Sequence, residues 1–390
     1  MKIAILTSGI RTVPAIQGGA VENLIDYYLA YNDKYRLHEI TIYSIWHPDV
    51  KNHKALKSEV NHFHYIDTIS FWGKIKKVFF SILHGEYYYH RSIEYFLHEA
   101  IRDIRKKNID LIIVENRPGF ILRLKRVVNT YCILHLHNDF LHIGIKSAQE
   151  IYEKTNRIIS ISKYITNRVN KIDPNSHKEV TVYNAIDNQK FYEAIAIKRN
   201  VFSISESEIV IVYSGRLNKE KGILHLIQAI KTLNSIPNLK LLIIGASNYG
   251  KDKYHTPFTI QLEKESESIK DKVIFTGFIN YAELPSYLKM ADIAVVPSMW
   301  EEPFGLTVVE AMAAGLPLVT TRSGGIPEIC EGVATIVERD DIVNNLAQAI
   351  LDLYEHPEKR QQMAAAGLER SKLFDKETYA KNFFAALEDI

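Results

Sequence analysis

Two glutamates eight positions apart stand in EEPFGLTVVEAMAAGLPLV, residues 301–319, with a Pro-Phe-Gly loop between them. Glu302 falls in that loop, and Glu310 falls about one turn into the helix predicted by the apolar run that follows. A helix start exposes unpaired N–H groups that suit a phosphate, so Phe304, Gly305 and Leu306 form a candidate anion-binding turn. Glu310 can accept hydrogen bonds from ribose hydroxyls, and Glu302 can reach a sugar or a reacting centre. Solvated glutamates are the bland alternative, but the neighbouring apolar run argues against exposure.

A second constellation is SGRLNKEKG, residues 214–222, which follows an apolar strand and precedes a helix. Open α/β sheets bind ligands at the carboxyl ends of their strands. Arg216 and Lys221 can converge there on a diphosphate, the one as a planar fork of donors and the other as a point charge. Fixed cations aimed at a departing diphosphate stabilise the charge it develops. Gly18-Gly19 precedes the first predicted helix and can admit a phosphate or sugar close to the backbone. Its spacing is not that of a dinucleotide fingerprint. HLHND, residues 135–139, ends another strand, and alternation puts His135 and His137 on one face. A histidine there can hydrogen-bond a sugar hydroxyl. No further ligand cluster has standard metal spacing, so no metal is expected.

The elements that must hold these residues are short apolar strands alternating with amphipathic helices. In the first half the strands are KIAILTS, HEITIYSI, DLIIVEN, YCILHLHND, RIISIS and EVTVYNAI. In the second they are SEIVIVYSGRL, LKLLIIGAS with Gly245, KVIFTGFI with Phe278, IAVVPS and PLVTTRSGG. This alternation predicts two parallel sheets, each covered by helices on both faces. The length of 390 residues agrees with two domains. The boundary is expected in DNQKFYEAIAIKRN, near 187–200, giving domains of 1–190 and 191–373. The last segment, KETYAKNFFAALEDI, reads as an amphipathic helix.

Composition narrows the class. The hydrophobic share of 46% is that of a soluble globular protein. No apolar run is long enough to span a membrane. MKIAILTSG reads as a first buried strand, not a signal peptide. Two cysteines, Cys132 and Cys330, make no disulfide framework and fit a reducing cytoplasm. Residues 1–199 hold 29 Lys and Arg against 20 Asp and Glu, whereas 200–390 hold 19 against 26. The basic half can meet an anionic partner. It carries no recognised nucleic-acid module, so no nucleic acid is expected. In SFWGKIKKVFFSIL, Phe71, Trp72, Phe79 and Phe80 interleave with Lys74, Lys76 and Lys77. Rings beside cations suit an anionic membrane surface, although the same period fits aromatics packed inward.

Together these segments resemble the retaining glycosyltransferases of family 4, the group 1 glycosyl transferases with the GT-B fold. The resemblance covers nearly the whole chain and is strongest over 209–330. It rests on Glu302 with Glu310, on Gly215-Arg216 with Lys221-Gly222, and on Gly18, Gly19 and Glu22. VYNAID also resembles a family segment, with Ala185 where Gly is usual, and so does SGGIPEI, 323–329. It implies an α/β protein of two Rossmann-like doubly wound domains facing a central cleft, with helix 374–390 crossing back to an acceptor-binding first domain.

The residue roles that follow are the resemblance's own. Arg216 and Lys221 hold the diphosphate, Glu310 the ribose, and Glu302 the donor sugar near the anomeric carbon. His137 lies near the sugar and the acceptor. FTGFI, 275–279, lines the base pocket, and Gly18, Gly19, Gly245, Phe278, Phe304, Gly305 and Leu306 complete the donor-binding set. The partners are a nucleotide sugar, most often a UDP-sugar, and a glycan or lipid-linked acceptor of capsule or exopolysaccharide type. Neither metal nor cofactor is implied, and the place is the cytoplasmic face of the membrane. Rival readings are a sugar-nucleotide epimerase or another GT-B enzyme such as a phosphorylase, and a non-catalytic partner subunit. An epimerase would need no acceptor, and no pyridoxal-phosphate lysine motif is present.

Overall fold

The computed structural model describes residues 1–83, 87–246 and 256–388. Contacts divide the chain into two units. The first is Met1–Asn184 with the segment from Lys376 onward, and the second is Ala185–Asp375.

The first unit is built on seven parallel strands: β1 (Lys2–Leu6), β2 (Glu39–Ile45), β3 (Asn61–Ile66), β4 (Leu111–Glu115), β5 (Tyr131–Leu136), β6 (Arg157–Ser160) and β7 (Glu179–Thr181). Their order is β3-β2-β1-β4-β5-β6-β7. In β1, Ile3, Ala4, Ile5 and Leu6 are wholly buried, as are Ile112, Ile113 and Val114 in β4. A strand covered on both faces reads as a continuous apolar run, and these two do. The order reverses between β1 and β4, so the open crevice of the sheet lies past the ends of those strands.

The second unit repeats the design with six strands: β8 (Ile209–Ser214), β9 (Leu239–Ile244), β10 (Val273–Gly277), β11 (Ile293–Val296), β12 (Leu318–Thr321) and β13 (Thr335–Val337). Their order is β10-β9-β8-β11-β12-β13. The reversal falls between β8 and β11, whose ends lead toward the two segments singled out for chemistry, 214–222 and 301–319. Both units are therefore Rossmann-like parallel-sheet α/β domains.

The changeover, expected near 187–200, falls at Asn184–Ala185. Side chains and backbone past it bond to the end of the second unit. Ile186 N–H donates to Phe374 O at 3.0 Å, and Asn188 Nδ2 donates to Ser371 O at 2.8 Å. The next segment, the helix Lys376–Ala385, returns to the first unit and packs on the helix Ala20–Tyr35. There Phe383 stacks on Tyr28 with ring centres 4.2 Å apart and planes within 4° of parallel. Both rings are wholly buried.

Truncating Phe383 leaves a cavity beneath Tyr28. Phe383→Ala is expected to destabilise the first unit by about 3–5 kcal/mol. Hydrogen exchange after urea titration checks it: amides of β1 and β4 should lose protection while those of β8 and β11 keep theirs.

Candidate active site

In the second unit, β8 ends at Ser214 and the chain turns through 215–222. Asn218 caps the short 3-10 turn Lys219–Lys221 by accepting from Lys221 N–H at 3.1 Å. Gly222 closes that turn at φ +71°, in the left-handed region. A Cβ on it would stand 1.7 Å from Pro297 O, the first residue past β11. Only glycine lets the turn lie this close, and Met299 N–H then donates to Glu220 O at 2.8 Å. The two loops at the strand reversal are thus fastened together.

This places Lys221 Nζ 2.5 Å from Glu302 Oε1, with side-chain exposures of 21% and 9%. The same oxygen accepts Ser298 Oγ at 2.7 Å. Glu302 is fixed from behind, since its carbonyl accepts Gly325 N–H at 2.8 Å. Arg339 holds the loop by donating to Met299 O at 3.2 Å and pairing with Glu301 at 2.5 Å. Lys221 Nζ also lies 5.5 Å from the centre of the Trp300 ring. An ammonium has three protons, so Lys221 can serve Glu302 and still face an anion.

Arg216 is exposed and has no ion pair among the described residues. Its carbonyl accepts the Tyr213 hydroxyl at 2.8 Å, which ties it to the end of β8. Burial, and next the charge of Glu302, push the Tyr213 hydroxyl well above its usual range. Gly245 follows β9, and a Cβ there would meet Gly215 O at 1.9 Å, so it too must be glycine for the strand ends to lie together.

Glu310 sits in the helix Leu306–Ala313 and is 6% exposed. Burial pushes its carboxyl up to about 7, against a hydrogen bond with Tyr281 that pulls it down. Gly305 is the residue before that helix and Leu306 its first, which leaves the first-turn amides at the loop. The Phe304 ring is 2% exposed and lies edge-on to Phe374 at 5.7 Å, so its side chain packs in the core while its backbone stays at the turn. Phe278 is 43% exposed just past β10.

The remaining expected residues belong to the first unit. Gly19 precedes the helix Ala20–Tyr35 at φ +127°, and a Cβ on it would meet Glu22 Oε2 at 2.1 Å. Gly18 O accepts Arg11 Nη1 at 3.1 Å. Burial raises the Glu22 carboxyl, and it pushes neighbouring Asp26 up to about 6. His137 follows β5 and is 5% exposed. Its Nε2 lies 2.7 Å from Glu115 Oε2, at the end of β4. His135 Nδ1 lies 3.1 Å from the same oxygen, and Tyr28 OH donates to Glu115 Oε1 at 3.0 Å.

The structure therefore brings Lys221 and Glu302 into contact and ties Arg216 to the same turn. It sets Glu310 on the adjoining helix with Tyr281 as partner. His137, Gly18 and Gly19 lie at the carboxyl edge of the other sheet. Sequence reasoning missed Ser298, Tyr213 and Tyr281, which carry no spacing signal, and it missed Glu115. A carboxylate closing the apolar run DLIIVE was a usable signal for that last residue.

Residues 195–370, nearly all of the second unit, match the family model for glycosyl transferases group 1. That unit is similar to the group 1 glycosyl transferases, the two Rossmann-like units are those of the GT-B fold, and the protein is an enzyme of the glycosyltransferase class. Spore coat protein SA of Bacillus subtilis is 26% identical over 379 residues, covering 93% of this chain and 92% of the relative. The lipopolysaccharide 1,2-N-acetylglucosaminetransferase of Salmonella typhimurium is 33% identical over 168 residues, 40% of this chain and 43% of its own. The crystal structure of Anabaena HepE in complex with UDP superposes with a TM-score of 0.73 at 18% identity, over all of both chains.

The raised carboxyl of Glu310 gives a pH prediction. Between its ordinary value of 4.5 and about 7, the folded chain holds a proton that the unfolded chain has released. Stability without ligand therefore falls as pH rises through that window and levels off above it. Glu310→Gln cannot ionise and should remove this slope, gaining up to about 3 kcal/mol over the parent above the window. Tm measured across the window for both proteins checks it.

Proposed function

We propose that the protein transfers a hexose from a nucleotide sugar, a UDP-sugar, to a hydroxyl of a glycan or lipid-linked acceptor in surface polysaccharide synthesis, with retention at the anomeric carbon. The observation that carries the donor reading is the part-buried Lys221–Glu302 pair at the strand reversal of the second sheet. It sits in one unit with a helix start at Leu306 and a buried carboxyl at Glu310. Lys221 and Arg216 bind the diphosphate, first-turn amides accept its charge, and Glu310 takes the ribose hydroxyls.

The bond from the anomeric carbon to the diphosphate oxygen breaks, and its electrons stay on the phosphate. The acceptor oxygen forms the new bond on the same face, and its proton passes to a leaving phosphate oxygen. The positive charge comes from the two side chains, so turnover is proposed to proceed without a metal or cofactor. The HepE complex with UDP supports the donor base, and the lipopolysaccharide transferase supports a surface-glycan acceptor. The same pair stands against a non-catalytic subunit, because it keeps a cation oriented where a diphosphate would bind. The epimerase alternative is separated by product analysis, since it would turn over donor with no acceptor present.

A lipid-linked acceptor is supported by the first unit. The helix Phe71–Leu83 leaves Phe71, Trp72, Phe79 and Ile82 at 71, 69, 63 and 74% exposure, an apolar stripe open to solvent, with Lys74 and Lys76 exposed beside it. Phe80 alone of its phenylalanines turns inward, onto Tyr95 at 5.8 Å. Arg102, Arg105, Arg123, Arg126 and His98 line a groove on the next helix and its neighbour. Rings at headgroup depth beside cations fit an anionic bilayer. No described helix is long and apolar enough to cross one.

Two outcomes are expected. Arg216→Ala should lower kcat/KM for sugar transfer by on the order of 3 kcal/mol of transition-state stabilisation, read by nucleoside diphosphate release across a panel of sugar nucleotides with and without chelator. Unchanged transfer would remove its role, and retention is read from the anomer of the product. Phe71→Ser with Trp72→Ser should abolish sedimentation with phosphatidylglycerol vesicles at low salt. Equal sedimentation of parent and variant would remove the membrane reading.

A further inference from the structure

Glu115 is a carboxylate with no exposed atoms, set between two histidines and a tyrosine. It closes β4, and register places it directly across from His135 on β5. His137 follows two residues later, on the same face, with its ring centre 4.2 Å from that of His135. Its own backbone N–H donates to Asn116 Oδ1 at 3.1 Å, which pins the start of the loop. We infer that Glu115 is a positioning residue: it fixes the imidazole of His137 as the tautomer protonated at Nε2, leaving the Nδ1 lone pair to accept a hydrogen bond from a sugar hydroxyl. The inference rests on the proposed sugar-transfer function.

The argument is one of donors and acceptors. An ionised carboxylate only accepts. Glu115 stays ionised although buried, because His135, then His137, hold its carboxyl far below the usual range. Each nitrogen facing it must therefore carry a proton. For His137 that nitrogen is Nε2, 2.7 Å from Oε2. Burial, and next the charge of His135, push His137 down to about 4, so the ring is neutral and its second nitrogen is bare. That nitrogen, Nδ1, is buried and has no partner. An unpaired buried acceptor is costly to keep, and one hydroxyl donor satisfies it.

The same three side chains are also a candidate metal cluster, with ligand atoms within 4.8 Å of one another. Ring geometry favours the hydrogen-bonded reading. A metal bound by His135 Nδ1 and His137 Nε2 would force protons onto His135 Nε2 and His137 Nδ1. Ligating histidines normally donate that outer N–H to a carboxylate, carbonyl or water. Here both outer nitrogens are buried without a partner, so a metal would leave two unmet donors. The carboxylate reading leaves a bare lone pair on His137 Nδ1 in place of a donor, the milder deficit.

Two experiments test the inference. Long-range proton–nitrogen correlation of the full chain labelled with nitrogen-15 histidine should show His137 neutral at pH 7 and protonated at Nε2. A proton on Nδ1, or an imidazolium, would overturn it, and this reading needs no activity. In the second experiment, Glu115→Leu should lower kcat by about tenfold or more with donor KM within about threefold. His137→Ala should do the same, and the double variant should lose no more than His137→Ala alone. Additive losses, or a Glu115→Leu protein with parental kcat, would mean that Glu115 does not act through His137. If the parent transfers no sugar from any nucleotide sugar, the functional reading fails while the tautomer result still stands.

Discussion

Lys221 and Glu302 meet at 2.5 Å across the strand reversal of the second sheet, and much of the surrounding backbone is shaped by that meeting. Gly222 brings the turn against Pro297, Glu220 O ties to Met299, and Arg339 and Gly325 brace the loop that presents Glu302. An ion pair taken out of water gains little stability, because desolvation offsets the attraction. The arrangement makes sense instead as preorganisation, in which a cation is held at one orientation before any anion arrives. Ser298 contributes by taking up part of the Glu302 charge at 2.7 Å.

The first sheet solves the same problem differently. Glu115 is met by donors from two imidazoles and a phenol, and no ammonium or guanidinium approaches it among the described residues. The charge of His135 and the hydrogen bonds from both rings keep this buried carboxylate ionised. A lysine there would offer rotatable donors on a flexible stem, whereas planar rings on adjacent strands hold their protons in set directions. The two sheets thus each end in a buried carboxylate, one matched to a lysine and the other to two imidazoles and a phenol.

The fold was readable in the chain because its signals are local. The buried stretches of inner strands must be apolar, and IAIL of β1 and LLII of β9 are. Shorter edge strands were less readable: EVTVYNAI pairs only over Glu179–Thr181, since the chain then leaves the sheet edge. Of the site, the turn with Arg216 and Lys221 and the loop with Glu302 showed themselves because glycines and charges must recur at fixed spacing in a strand-turn-helix. The direction of the Phe304 ring was not readable locally, because packing against Phe374, seventy residues on, decides where it points. Glu115 ends β4 and His137 follows β5, and only the register of the two strands reveals that they touch.

The return of helix Lys376–Ala385 to the first unit makes that unit discontinuous in the chain, while the second is a single uninterrupted stretch. During synthesis the second unit can finish its core as soon as Asp375 has left the ribosome. The first must wait with the apolar face of Tyr28 uncovered until Phe383 and Phe384 emerge. Vectorial folding therefore runs against sequence order here, and the part made first is the part completed last.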